Sequence, residues 1–247
     1  MSDTVAKAKT ESGETAAQAQ EALAETKLYS TWDFAGAEQD FRRALELDPT
    51  LAKAHGNYAW YLQLVGRREE GFEELRRAKE ADPLNPLWPS WLAWQCWWYG
   101  EQYDKALEEA RKSLELDPDF AWGLYVLGAV YAQKGMFEEA IAAHRKAAEK
   151  SPAARWGIGH TYALAGRRDE ARNVAAELEK NPTPIDTWGL AQIYTALGER
   201  DAAIQWLEKG FELRFDWMPW IEQEPLFAPL RGEPRFKSLA RRLNIPR

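Results

Sequence analysis

Leu127-Gly128-Ala-Val-Tyr131-Ala-Gln-Lys-Gly135-Met-Phe137-Glu-Glu-Ala140-Ile-Ala-Ala-His144-Arg-Lys-Ala147, closed by Ser151-Pro152, decides how the rest of the chain is read. Two helical patterns meet at a turn around Gly135, and the second stops at the proline. Proline fixes its own φ and disfavours helix in the residue before it, so it marks a helix end. Asp-Pro or Ser-Pro ends a helical phrase in the same way at Pro49, Pro83, Pro118 and Pro152, at spacings of 34, 35 and 34. The phrases before them are related: Ala37-Glu-Gln-Asp-Phe41-Arg-Arg-Ala44, Gly71-Phe-Glu-Glu-Leu75-Arg-Arg-Ala78 and Ala106-Leu-Glu-Glu-Ala110-Arg-Lys-Ser113. Self-similarity at that period means stacked helical units, each burying its apolar face against the next.

Small residues stand at fixed offsets in the paired helices. Ala59 with Gly71, Gly128 with Ala140, Gly159 with Ala171 and Ala191 with Ala203 are each 12 apart. Small side chains at both positions let two antiparallel helices approach closely across a short turn. In the first and third units the pair is 13 apart, Ala24 with Ala37 and Ala93 with Ala106, so their turns should carry an extra residue. The period shortens to 31 between Gly135 and Gly166 and to 32 from there to Gly198. The linkers around Ser151-Pro152 and Asn181-Pro-Thr-Pro184 should therefore be tight or irregular, with a change of pitch.

This pattern resembles the tetratricopeptide repeat, a helix–turn–helix unit of about 34 residues. The resemblance covers residues 17–213 and implies an all-α fold: a right-handed α-solenoid, or superhelix, of about six repeats with a helical C-terminal cap. Turns are expected near Trp32, Gly66, Gly100, Gly135, Gly166 and Gly198. A narrower likeness lies in Trp32-Asp-Phe34-Ala-Gly-Ala37, Ala54-His-Gly-Asn-Tyr58-Ala-Trp60 and Pro225-Leu-Phe-Ala-Pro-Leu230. These stretches resemble the C-terminal tetratricopeptide arrays of bacterial multidomain signalling proteins, where they follow winged-helix, cyclase or kinase modules. The chain divides into a polar, flexible N-terminal segment (1–14), the array (15–214) and a capping segment (215–247). Within the cap, Phe215–Trp220 and Leu226–Leu230 read as short helical turns. Pro234–Leu243 reads as a terminal helix with Phe236, Leu239 and Leu243 on one face.

Composition supports the same class. There are 26 Leu against 7 Ile and 5 Val, so helix formers dominate. The 247 residues carry 32 Lys and Arg against 39 Asp and Glu, a net charge of −7 that argues against a nucleic-acid partner. Residues 1–50 hold 10 acids and 5 bases and residues 231–247 hold 6 bases and 1 acid, so head-to-tail self-association is an option beside plain solvation of both ends. A single cysteine, Cys96, allows neither an internal disulfide nor a Cys-rich zinc site. The N-terminus shows no apolar signal region, and no apolar run approaches the roughly 20 residues of a membrane span. The expectation is a cytoplasmic chain without membrane insertion.

Chemistry is sparse. No phosphate-cradling Gly-x-x-x-x-Gly-Lys loop occurs, and Gly157-Ile-Gly159 falls inside a helix at the small packing position. His55, His144 and His160 lie in different repeats without the i+3 or i+4 second ligand of a metal site. The carboxylate runs Glu73-Glu74 and Glu108-Glu109 precede Lys or Arg by three or four residues, and Glu69-Glu70 sits beside Arg67-Arg68, as on solvated helix faces. No enzyme, metal or cofactor is expected.

What remains is the groove. The 13 tryptophans include five between Trp88 and Trp98. In the resembled family the first helix of each repeat lines a concave groove. Carrying its groove positions over places Trp60, Trp94, Trp97, Trp98, Trp122, Tyr125, Trp156, His160 and Trp188 in or beside it. The implied function is a non-catalytic scaffold that binds a partner protein or peptide, with a small-molecule or glycan sensor as the alternative use of the same aromatic walls. Packing of the tryptophans between repeats is the competing account. The family's Lys, Arg and Asn clamp on a peptide carboxylate is poorly matched, since Lys53 and Asn57 are followed by apolar residues.

Overall fold

The computed structural model describes residues 2–100 and 102–246, with side chains from Gly13 onward. Most of the expected flexible segment, 1–14, lies outside the described side chains; in backbone, the first helix runs Ser2–Glu25. The described residues are helical or loop, with no strand among them.

The chain divides into two compact units, one taking in the residues up to Leu84 and the last few from Ile245, the other Asn85–Asn244. The first holds α1 (Ser2–Glu25), α2 (Phe34–Leu47), α3 (Ala52–Leu64) and α4 (Arg68–Ala81). The second holds α5 (Leu87–Trp98), α6 (Tyr103–Leu116), α7 (Ala121–Gln133), α8 (Phe137–Lys150), α9 (Trp156–Leu164), α10 (Arg168–Glu179), α11 (Pro184–Ala196), α12 (Arg200–Glu212) and α13 (Pro234–Leu243). Helices pack in sequential pairs: α1 with α2 and α3 with α4 in the first unit, then α5 with α6, α7 with α8, α9 with α10 and α11 with α12 in the second.

Local chemistry explains the ends. Asp48, Asp82, Asp117 and Ser151, each followed by proline, leave the helical region, with φ of −140°, −139°, −144° and −142°, and Asp48, Asp117 and Ser151 are extended. Gly66, Gly100, Gly135, Gly166 and Gly198 all have φ between +74° and +80°, the left-handed turn that ends a helix most cheaply at glycine. Trp32 takes the same region at φ +58°. All six expected turn positions are therefore left-handed.

The irregular spacings have distinct outcomes. The extra residue of the first pair is absorbed by a π-helical stretch, Thr26–Thr31, whose wider turn holds one more residue. In the α5/α6 pair it lengthens the linker to residues 99–102, where other second-unit turns span three. The shortened period after α8 appears as a 3₁₀ turn, Pro152–Arg155, joined directly to a nine-residue α9. Before α11 the entry is fixed by a capping box in which Thr183 and Asp186 satisfy each other's first-turn groups.

The small pairs do the packing expected of them: Ala59, Ala93, Ala106, Ala140, Ala171, Ala191 and Ala203 are all fully buried. After α12 the backbone turns left-handed at Arg214 and forms two 3₁₀ turns, Met218–Trp220 and Pro225–Leu230, before α13. Phe236, Leu239 and Leu243 of α13 are buried.

Candidate functional site

In the second unit the first helices of successive pairs lie side by side, α5 against α7, α7 against α9 and α9 against α11. Their aromatic residues form one continuous cluster. Trp94 meets Trp97 at 4.4 Å between centroids, Trp98 at 5.5 Å, Trp122 at 5.1 Å and Tyr125 at 5.8 Å. Tyr125 continues the series to Trp156, 4.5 Å away. Trp156 in turn lies on the backbone of α11, where a Cβ added to Gly189 would collide with its ring.

The C-terminal segment covers this face. The Trp217 ring stands edge-on to Trp122 of α7 at 5.5 Å and to Trp188 of α11 at 6.1 Å. Phe227 meets Trp188 at 4.9 Å, and Phe215 at 6.2 Å completes its surround. The Trp98 indole donates a 2.7 Å hydrogen bond to the main-chain carbonyl of Gln223, 125 residues along the chain. The stretch Pro225–Leu230 packs on α11 and α12.

The expected groove residues are thereby placed. Trp94, Trp97, Trp98, Tyr125, Trp156, His160 and Trp188 are brought together in the second unit but are buried, Trp94 at 2 % exposure and Trp188 at 1 %. Trp122 is half-buried against Trp217. Trp60 belongs to the first unit and is partly exposed. An open aromatic groove is thus not what the second unit presents: the same face exists, filled by residues 215–227. Phe215, Trp217, Gln223 and Phe227 are the site residues that sequence reasoning assigned only to a cap. Their signal was the break in the repeat after Arg214 followed by closely spaced aromatics.

Electrostatics within this face favour neutral groups. Burial pushes the Glu224 carboxyl up to about 8, against the opposing pull of Arg231 and of the Leu226 N–H bonded to its Oε1. Its other oxygen has no hydrogen-bond partner, and Glu224 bears on the Tyr125 hydroxyl, which burial raises further. The indole N–H groups of Trp122, Trp156 and Trp188 and the Gln192 amide are also buried without partners. His144 lies against Gly128 and Gly157, with Nδ1 3.0 Å from the Thr161 hydroxyl and Nε2 3.2 Å from the Tyr125 carbonyl. Burial lowers its pKa to about 3 and that of His160 to about 4, so both rings are neutral.

The first unit is built otherwise. Lys53 Nζ lies 2.6 Å from Glu25 and 3.2 Å from Glu21, and the Asn57 amide donates to Glu21 at 2.8 Å. The two residues nearest to a carboxylate clamp are therefore engaged by the chain's own carboxylates. His55 pairs with Glu74 at 2.5 Å. Among the described residues no group of three His, Cys, Asp or Glu side chains is arranged to hold a metal ion, and no helix is long and apolar enough to cross a membrane.

Sequential antiparallel pairs, left-handed turns at the repeat period and small residues where the paired helices meet define a helical-repeat protein of the α-solenoid class. Family models agree: a TPR repeat matches residues 99–135, and the tetratricopeptide repeat matches residues 123–154 and 188–216. The chain thus carries tetratricopeptide repeats over the matched residues, in α6 to α8 and in α11 and α12. Among solved structures it is similar to PilW, a widely conserved type IV pilus biogenesis factor, at 18 % identity over 90 % of this chain and 97 % of that one, with a TM-score of 0.62. PilF of Pseudomonas aeruginosa is similar at 17 % identity over 94 % and 99 %, with a TM-score of 0.59. TTC0263, a thermophilic TPR protein of Thermus thermophilus, is similar at 25 % identity over 76 % and 98 %, with a TM-score of 0.55. No curated protein matches the chain in sequence. Tetratricopeptide repeats serve in general as non-catalytic protein-interaction scaffolds.

Proposed function

We propose that this chain is a protein-interaction scaffold whose partner, a peptide or protein segment, is received on the aromatic face of the first helices. One observation carries the reading: the face of α5, α7 and α11 already engages a peptide segment, through the Trp98 hydrogen bond to a main-chain carbonyl and the wedging of Trp217 between Trp122 and Trp188. Large aromatic rings with one polar handle are the side chains that anchor peptide interfaces. Their packing partners here are other side chains and main chain, which favours a peptide over a sugar or metabolite as ligand. The net charge of −7 weighs against a nucleic-acid partner.

Selection of binders from a displayed random peptide library against the full-length chain tests this, with each binder mapped by its effect on the tryptophan indole resonances. Peptides that shift Trp122 and Trp98 support the assignment. Binding that maps to α4, α8 or α12 and leaves those indoles unmoved would refute it.

A further inference from the structure

Residues 215–227 make the contacts that a bound ligand would make. Three aromatic side chains, Phe215, Trp217 and Phe227, enter the cluster, and a backbone carbonyl accepts from a groove indole at 2.7 Å. We infer that this segment is a built-in occupant of the groove, and that the external partner is a peptide of the same chemistry, with aromatic residues spaced as in Phe215-x-Trp217 and free main-chain carbonyls, which binds by displacing it. This deepens the scaffold reading and rests on it.

The imperfect fit of the occupant argues for displacement. A permanent core satisfies its buried polar groups almost completely. Here one indole N–H of the face, that of Trp98, meets a carbonyl, whereas those of Trp122 and Trp188, whose rings the segment touches, meet none. One Glu224 oxygen is left in the same condition, although the residue is fully buried. Each such group loses its water on closure without a replacement bond, which weakens the closed state relative to an open, hydrated one. An extended peptide that offers carbonyls along its length could satisfy donors that the segment, whose carbonyls at Phe215, Trp217, Met218 and Trp220 are used internally, does not reach. The segment is also joined to the array through Arg214, a non-glycine residue with φ +52°, so its attachment point is conformationally costly.

A synthetic peptide of residues 213–231, added to the full-length chain, provides the test. Affinity is read by chemical-shift titration for the wild type and for two variants that loosen the occupant and leave the groove helices unchanged, Trp217→Ala and the milder Phe227→Leu. Both variants are first checked for unchanged helical circular dichroism. The expected result is weak uptake by the wild type, at least tenfold tighter uptake by one or both variants, and loss of uptake when the peptide itself carries Trp217→Ala and Phe227→Ala. Folded variants that take up the peptide no better than wild type, or no uptake by any of them, would overturn the inference. The library experiment separates the two failures. Selected peptides that reach the Trp122 indole without speeding amide exchange in 215–230 would leave the scaffold reading standing and this one refuted.

Discussion

α3 in the first unit and α7 and α11 in the second occupy equivalent places in their helix pairs, yet they bury their faces by different chemistry. α3 presents Lys53, His55 and Asn57, and each finds a carboxylate partner from α1 or α4: Glu21 and Glu25 for Lys53, Glu21 for Asn57, Glu74 for His55. α7 and α11 present Trp122 and Trp188, and their cover comes from Trp217 and Phe227 in a segment beyond the last repeat. Neighbouring repeats can close a polar face by pairing charges. An aromatic face with surplus indole groups is closed more loosely, by apolar contact with few hydrogen bonds. On the displacement proposed above, the replaceable part of the molecule lies in the second unit.

The largest effect that bears on this contrast is Trp188→Ala. Trp188 is buried and touches Phe215, Trp217 and Phe227, so truncation should cost about 3–5 kcal/mol and release the covering segment at once. A thermal melt measures the first effect and amide exchange of residues 215–230 the second. Gly189→Ala comes next. Its added Cβ would collide with the Trp156 ring, an overpacking worth about 1–3 kcal/mol, while Gly71→Ala in the first unit meets the Ala59 carbonyl at 3.1 Å and should cost less. Melting curves that rank these two glycines the other way would break the comparison.

How far the sequence carries depends on the range of the interaction. Helix ends at Asp48, Asp82, Asp117 and Ser151 and the five glycine turns were legible because proline and glycine act on their own backbone, while the turn at Trp32 followed from the repeat spacing. The 13-residue spacings predicted an inserted residue correctly, although spacing alone did not distinguish the π-helical solution at Thr26–Thr31 from the longer linker at 99–102. The aromatic positions of α5, α7, α9 and α11 were also legible and converge as their register implies. Their burial was not. The cover of Trp98 lies 125 residues away, and no periodicity links Gln223 or Trp217 to the helices they pack on. Polar pairing in the first unit was missed for a related reason: Glu21 and Asn57, 36 residues apart, look like ordinary helix-surface residues until the fold joins them.

The pH dependence of the second unit sharpens the contrast further. The Glu224 carboxyl sits at about 8 in the fold against 4.5 in an unconstrained chain. The folded state therefore holds a proton that the unfolded state has released between these values. The associated stability is full below pH 4.5 and disappears as pH rises to 8. His144 and His160, lowered to about 3 and 4 from 6.5, act in the opposite direction: their contribution is full above 6.5 and is lost as pH falls toward 4 and then 3. Glu224→Gln should accordingly flatten the alkaline side alone. Its melting temperature should exceed the wild type's at about pH 9 by more than at about pH 5, and parallel curves would contradict the burial of a neutral Glu224. Smallest is Trp98→Phe, which removes a single hydrogen bond and should cost about 1 kcal/mol in a denaturant titration.

The central claim, that residues 215–227 fill the aromatic face of the second unit, is tested most directly by the indole proton of Trp98 in the NMR spectrum of the full-length chain. Held in its bond to the Gln223 carbonyl, that proton should exchange slowly with solvent and show nuclear Overhauser contacts to the backbone of Gln223 and Glu224. An indole proton that exchanges at the rate of free tryptophan, with contacts confined to α5, would contradict the account.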